Sequence, residues 1–400
     1  MEIDRLSTAG SLRDLWPLDP TVAYLNHGSF GACPRHVLAY QAELRAELER
    51  EPVDFLSRRL PGRLARAREA LGRFVGADAG DLSFVANATS GVNAVLRSLS
   101  FVPGDELLVT DHAYEACRKA LSYVASRARA TVTVAPVPFP VADADEVVEA
   151  VLAAVTPRTR LALLDHVTSV TGLVVPLERL VSELAARGVD ALVDGAHAPG
   201  MVALDLTALG AAYYAGNAHK WLCAPKGAAF LYVRPDRQAG IHPLSISHGF
   251  VPGSGHADFR AEFDWTGTND PTPWLAVPEC IRFLGALLPG GWPELMARNH
   301  ALALEARSIL CAATGGAPAS PETMIGSLAS VPLPQAAAGA PAAVLDHEAL
   351  TSWFRQRGIE TWLSPWPGPG RMLIRASAQV YNDADQYRAL ALVLREALGV

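Results

Sequence analysis

Four hundred residues, 50% of them apolar, 19% charged and 7% aromatic, describe a globular chain with room for roughly two to three domains and exclude a disordered or fibrous one. With 34 Lys and Arg against 41 Asp and Glu, the formal charge of −7 repels phosphate polymers and anionic lipid, so neither nucleic acid nor membrane is an expected partner. The opening MEIDRLSTAG carries acids and no apolar core, and no run approaches the roughly 18 apolar residues of a membrane span, so the expected location is the cytoplasm.

Short apolar runs alternate with amphipathic stretches, the pattern of an α/β fold with a mostly parallel sheet and helices on its faces. In chain order the spacing predicts a helix over 61–75, strand Leu82–Ala86, helix 90–99, strand Glu106–Thr110, helix 115–128, strand Thr131–Ala135 and helix 143–154. Strand Leu161–Asp165, helix 176–187 and strands Ala191–Asp194, Ala212–Ala215 and Ala228–Val233 follow. Helical patterns over Pro271–Phe283 and Trp292–Ala313 carry the chain out of this sheet into a smaller α+β part. That part has a strand at Ser327–Pro332, a PQAAAGAPAA loop, a helix over 346–357, strands near 359–363 and 371–376, and a closing helix over 384–398.

Five cysteines, at 33, 117, 223, 280 and 311, are odd in number and unclustered, which suggests neither a disulfide framework nor a thiolate metal site. Lysine occurs only at 119, 220 and 226. Where a cation alone suffices this chain uses Arg, so a retained Lys is a candidate for chemistry that needs a neutral amine.

Ligands of open α/β sheets collect beyond the carboxyl ends of the strands, and five strand ends here are polar. In FVANATSGVNAV a strand runs into Thr89-Ser90-Gly91 and directly into a helix, whose first-turn N–H groups and hydroxyls form a nest for a phosphate, or only a Ser/Thr cap. LVDGAHAPG places Asp194 at a strand end with His197 three residues on; a carboxylate there can keep a heteroaromatic nitrogen protonated, or cap a helix. YYAGNAHKWLCAPKG sets Lys220 between His219 and Trp221 in an apolar setting that frees its amine as a nucleophile. Lys226, in a Pro-Lys-Gly turn, is its rival, whereas Lys119 four residues after Glu115 reads as a solvated helix pair. TDHAYEAC offers His112 and Tyr114, and LLDHVTSVTG offers His166, Thr168 and Ser169. The order of nest, aromatic, hydroxyl pair, Asp-x-x-His and Lys is more specific than any member alone.

That order resembles the class V aminotransferase family, fold type I enzymes dependent on pyridoxal 5′-phosphate (PLP). LNHGSFG at 25–31, FLSRRLPG at 55–62, GNAHKWLCAPKG at 216–227, WTGTNDPTPWLAV at 265–277 and IRASAQVYN at 374–382 are similar to isopenicillin N epimerase-like proteins and related C–S lyases. The resemblance implies a PLP-dependent transferase fold with a seven-stranded large domain over 21–285, a small domain over 286–400, and a segment over 1–20 packed on the small domain. It further implies that Lys220 bonds the cofactor, Asp194 pairs with its ring nitrogen, and Tyr114 stacks on its face. Thr168, Ser169, His197 and His219 would lie around the ring, and Thr89, Ser90 and Asn217 would hold the phosphate with Thr268 from a neighbouring subunit of a homodimer. Arg375 would clamp the substrate α-carboxylate, with Asn26 and His27 approaching from the amino-terminal segment.

Such a site loosens a bond to the Cα of an amino acid, and the fate of the charge decides between epimerisation, β-elimination and transamination. A desulfurase of this family carries a nucleophilic Cys shortly before the Arg motif, and TWLSPWPGPGRMLIRAS has none. An epimerase needs a second proton donor, for which Tyr114 or a histidine is available. Two readings without PLP catalysis are a PLP-fold binding module, and a cofactor-free lysine enzyme that has no use for the phosphate nest.

Overall fold

The computed structural model describes residues 12–251, 259–367 and 371–400. Its centre is a seven-stranded sheet of β1 (Leu82–Val85), β2 (Glu106–Thr110), β3 (Thr131–Ala135), β4 (Thr159–Asp165), β5 (Asp190–Asp194), β6 (Tyr213–Asn217) and β7 (Ala229–Val233), in the order β1-β7-β6-β5-β4-β2-β3. The pairs β2–β3, β2–β4, β4–β5 and β5–β6 are parallel, while β7 is antiparallel to both β1 and β6, so one strand runs against the other six. Parallel pairing buries strands on both faces, which is why these runs are apolar without alternation. Exposed positions remain at Thr131 and Val134 of the edge strand β3 and at Arg160 near the start of β4.

Period two along the strands then sorts side chains into two cores. Leu108, Ala162, Leu164 and Val193 pack on one face with Leu64 and Leu71 of α2 (Leu60–Val75), Val147 and Val151 of α5 (Ala144–Ala153), and Leu180 of α6 (Leu177–Ala186). Leu107, Val109, Leu161, Leu163 and Leu192 pack on the other with Val92 and Val95 of α3 (Ala88–Ser98) and Leu121 of α4 (Glu115–Ala128). Gly91 lets α3 lie close on the sheet: a Cβ there would stand 3.0 Å from that of Ala215. The preceding helix α1 (Arg35–Arg50) has no counterpart in the sequence reading; it is rich in Arg and Glu and buries only Val37, Gln41 and Leu44, too thin a stripe to show as periodicity.

Helices α7 (Val277–Gly285) and α8 (Gly291–Thr314) lead to an antiparallel three-stranded sheet of β8 (Leu328–Pro332), β9 (Trp362–Pro365) and β10 (Met372–Ser377), ordered β9-β10-β8. With α9 (His347–Arg355) and α10 (Ala384–Leu398) it encloses a third core around Leu310, Phe354, Ile374 and Tyr387, joined by Leu25 from the amino-terminal segment. Within the Ala/Pro/Gly stretch expected as a loop, Pro341–Val344 form one helical turn. Of the 1–20 segment, residues 1–11 lie outside the described residues. Trp16 is buried, donates from its indole N–H to the Ala32 carbonyl at 3.2 Å, and packs on the Tyr381 ring at 5.1 Å.

Candidate active site

Parallel strands end together, and the chain that leaves β1, β2, β4, β5 and β6 at their carboxyl ends lines one cavity of 720 Å³. Thr89, Ser90, Tyr114, Ser169, Asp194, His197, Asn217, His219 and Lys220 all face it, although they are spread over 132 residues of sequence from Thr89 to Lys220.

At one end of the cavity stands the amino terminus of α3. Its cap is Asn87, whose Oδ1 accepts from the Ser90 N–H at 2.8 Å and from the Ser90 hydroxyl at 3.1 Å. The Ala88 N–H donates to Asn217 Oδ1 at 2.8 Å, so the side chain that ends β6 is tied to the helix and its NH₂ group is left to donate elsewhere. The expected nest is therefore partly filled by two asparagines, and an anion would meet the Thr89 N–H and hydroxyl with the Asn217 amide.

At the floor, Asp194 is buried and both its oxygens are held: Oδ1 accepts from the Ala196 N–H at 3.0 Å and Oδ2 from the Cys117 thiol at 3.0 Å. Burial pushes that thiol's pKa up, so it stays a donor. Each carboxylate oxygen keeps a second lone pair for a ligand.

Lys220 faces a chain of donors. The Trp221 indole N–H, which can only donate, points at His197 Nδ1 at 3.3 Å. The proton of a neutral His197 then sits on Nε2, which lies 3.1 Å from Lys220 Nζ, an arrangement that favours the amine over the ammonium. Burial, followed by the positive charge of Arg375, draws Lys220 down to about 8 against the opposing pull of Asp194. Burial holds His197 well below its ordinary value, consistent with a neutral ring. Gly31, at φ +69°, lets the amino-terminal segment close over this loop, since a Cβ there would fall 2.0 Å from the His219 carbonyl. Lys226 also reaches the cavity but is exposed at its rim, and Lys119 pairs with Glu115 at 3.4 Å on the surface of α4.

Arg375 is 1% exposed and has no acidic partner among the described residues. Nη1 donates to the Ser169 carbonyl at 2.5 Å, Nη2 to Asn26 Oδ1 and Ser29 Oγ at 3.1 Å each, the guanidinium lies 4.5 Å from the Trp362 ring centre, and Nε has no partner. Burial draws its pKa to about 10. Ser29 and Ser169 line the cavity, so the cation stands directly behind that wall.

Three expected residues are turned elsewhere. Thr168 is buried and spends its hydroxyl on Thr171 at 2.7 Å and the Leu173 N–H at 2.8 Å, closing the turn after β4. His27 lies between the Tyr381 hydroxyl at 2.7 Å and the Lys220 carbonyl at 3.0 Å, where it braces the lysine loop instead of meeting a substrate. Thr268 is exposed outside the cavity. Among the tryptophans, Trp366 meets His112 and Trp353 lies under Arg357 at 3.5 Å. Sequence reasoning passed over Asn87, Cys117 and Asp165, all of which contact the site; Asp165 had a visible signal, since β4 and β5 both end in Asp.

This donor set fits PLP: a buried amine for its aldehyde, a carboxylate for its ring nitrogen, and a helix amino terminus for its phosphate. The Aminotransferase class-V model matches residues 35–387. The chain is 38% identical to isopenicillin N epimerase of Streptomyces clavuligerus over 96% of both chains. It is 32% identical to the probable chloroplastic L-cysteine desulfhydrase of Arabidopsis thaliana over 93% of this chain and 82% of the relative. Among solved structures, the cystine C–S lyase C-DES in complex with cysteine persulfide has the same fold, with a TM-score of 0.77 at 21% identity over 94% of this chain and 97% of the other. The chain belongs to the class V aminotransferase family and is a PLP-dependent enzyme.

Proposed function

We propose that this enzyme inverts the Cα of an amino-acid substrate, as an isopenicillin N epimerase-like protein of specialised metabolism. When bound, PLP supplies an electron sink for the bond that breaks at Cα. The Lys220 side chain, drawn down to about 8 by burial and so within reach of its neutral form, takes the Cα proton on one side. Tyr114 offers a phenol kept protonated first by burial, with its acidity lowered further by the charge at Asp194. The observation that carries the reading is their placement: Lys220 follows β6 and Tyr114 follows β2, and these strands flank the β5 strand of Asp194 on opposite sides. A ring held by Asp194 would be approached by a base from the β6 side and by an acid from the β2 side, as inversion would use. Arg375, with Nε unused, takes the α-carboxylate, and Asn26 and Ser29 orient the guanidinium for it. The exposed Thr268 reaches a phosphate only in a second copy, so the reading includes a homodimer with shared sites.

Loss of a β-substituent from an S-conjugated cysteine is the second reading. It needs no acid opposite Lys220, and the desulfhydrase relative at 32% identity supports it. Incubating the protein with L-amino acids and S-conjugates in D₂O, and following chirality, deuterium at Cα, pyruvate and keto acid together, decides. Epimerisation gives deuterated D-product without pyruvate. Pyruvate without racemised product establishes the lyase and removes the epimerase.

A further inference from the structure

The strand beside Asp194 ends in a second acid. Parallel register sets Asp165 of β4 directly against Asp194 of β5, so both carboxyls leave the same edge of the sheet toward the same cavity. Their surroundings differ. Asp194 has both oxygens held, whereas Asp165, 4% exposed, accepts the Tyr114 N–H on Oδ1 at 3.2 Å and leaves a buried Oδ2 with no hydrogen-bond partner. Lys220 lies near enough to draw Asp165 down, but Asp165 makes no hydrogen bond to it, and the pull is smaller than the opposing effects of burial and Asp194. Two ionised carboxyls side by side in a dry floor, facing one ring cation, would leave one charge uncompensated. Burial first, and the Asp194 charge second, raise Asp165 well above the ordinary carboxylate value.

Building on the reading of this cavity as the PLP site, we infer that Asp165 is a positioning residue that works as a neutral carboxylic acid. Its Oδ1 fixes the start of α4, and with it Tyr114, while its Oδ2–H is a buried donor without a protein partner on a residue that lines the cavity. Asp194 is thereby left as the single negative charge at the ring nitrogen. No proton is exchanged with the cofactor: Asp165 keeps its own throughout.

The test begins with cofactor-free protein, so it does not depend on catalysis. An infrared difference spectrum of wild type minus Asp165→Asn at neutral pH reads the carbonyl stretch of an un-ionised carboxyl; the band is expected, and its absence overturns the inference. PLP is then titrated into both proteins and into Asp165→Ala and Asp194→Asn. Asparagine retains an Oδ1 acceptor and an N–H donor, so Asp165→Asn should bind within about threefold of wild type, whereas Asp165→Ala, short of a buried hydrogen bond, should bind about fivefold to tenfold more weakly. If Asp165→Asn loses as much affinity as Asp194→Asn, the residue is a second counter-ion and the inference fails. If Asp165→Ala binds like wild type, it positions nothing. Should Asp165→Ala not fold, the band and the asparagine variant decide alone, and if no protein takes up PLP the functional reading falls while the band still judges the inference.

Discussion

Replacing Lys220 by methionine keeps the length of the side chain and removes its amine, so it isolates what that amine costs the fold. In the folded protein its pKa lies near 8, against an ordinary lysine value of 10.5. A difference of about 2.5 units corresponds to roughly 3 kcal/mol by which folding disfavours the ammonium at pH 7. Methionine also gives up the hydrogen bond with His197 Nε2, which costs about 1 kcal/mol. Lys220→Met should therefore be more stable than wild type by about 2 kcal/mol at pH 7, while losing all covalent attachment of PLP. The sign with pH follows from proton binding: between 8 and 10.5 the unfolded chain holds the lysine proton that the folded chain has released, so wild-type stability rises through that window. The advantage of the variant should shrink over the same window and vanish near its top. Urea unfolding of the two cofactor-free proteins at pH 7 and near pH 10 measures this as a double difference, in which every other titrating group cancels. An advantage equal at both pH values, or none at pH 7, would refute the claim that burial draws the proton affinity of position 220 down.

Trp221→Phe removes the one donor that fixes the His197 tautomer. Nε2 can then accept from an ammonium, and the pH midpoint for PLP attachment to cofactor-free protein should rise by about half to one unit, the equivalent of one buried hydrogen bond. An unmoved midpoint in stopped-flow absorbance counts against the donor chain. Arg375→Lys keeps the charge but not the planar fork, so KM for amino acids should rise at least about tenfold with little change in kcat, and Arg375→Ala should raise it further. Equal KM for both variants and wild type would remove Arg375 from carboxylate binding. Tyr114→Phe should slow inversion by about 100-fold or more while any β-elimination stays within a few-fold, since only inversion needs an acid opposite Lys220. Chiral chromatography and pyruvate assays on one sample separate the two.

How much of this molecule could be read without coordinates depended on the range of the forces involved. Strand Glu106–Thr110 and helices 115–128 and 384–398 were legible to the residue, because a buried parallel strand or an amphipathic helix writes its period into neighbouring positions. Arg35–Arg50 was not, because its stability comes from a few buried contacts on a polar helix. The chemistry followed the same division. Lys220 stood out through the scarcity of lysine, and Asp194 through the polar end of an apolar strand, both local signals.

What tertiary structure alone decided was which way each polar group points. The strand-end pattern proposed Thr168 and the family resemblance proposed His27 as ligand contacts, yet packing commits one hydroxyl to a turn and one imidazole to Tyr381 and the lysine loop. Asp165 and Asp194 look alike as strand-terminal acids, and only the partners around them, two donors for Asp194 and an orphaned oxygen for Asp165, give them different charges. The lowered proton affinity of Lys220 likewise depends on burial, and on a His197 ring and an Arg375 charge brought to it from distant parts of the chain. Sequence by itself determined the period of burial and the identity of the reactive groups, since both are properties of neighbouring residues. Protonation and direction are set by desolvation and by hydrogen-bond partners distant in the chain, and these exist only once the sheet has assembled.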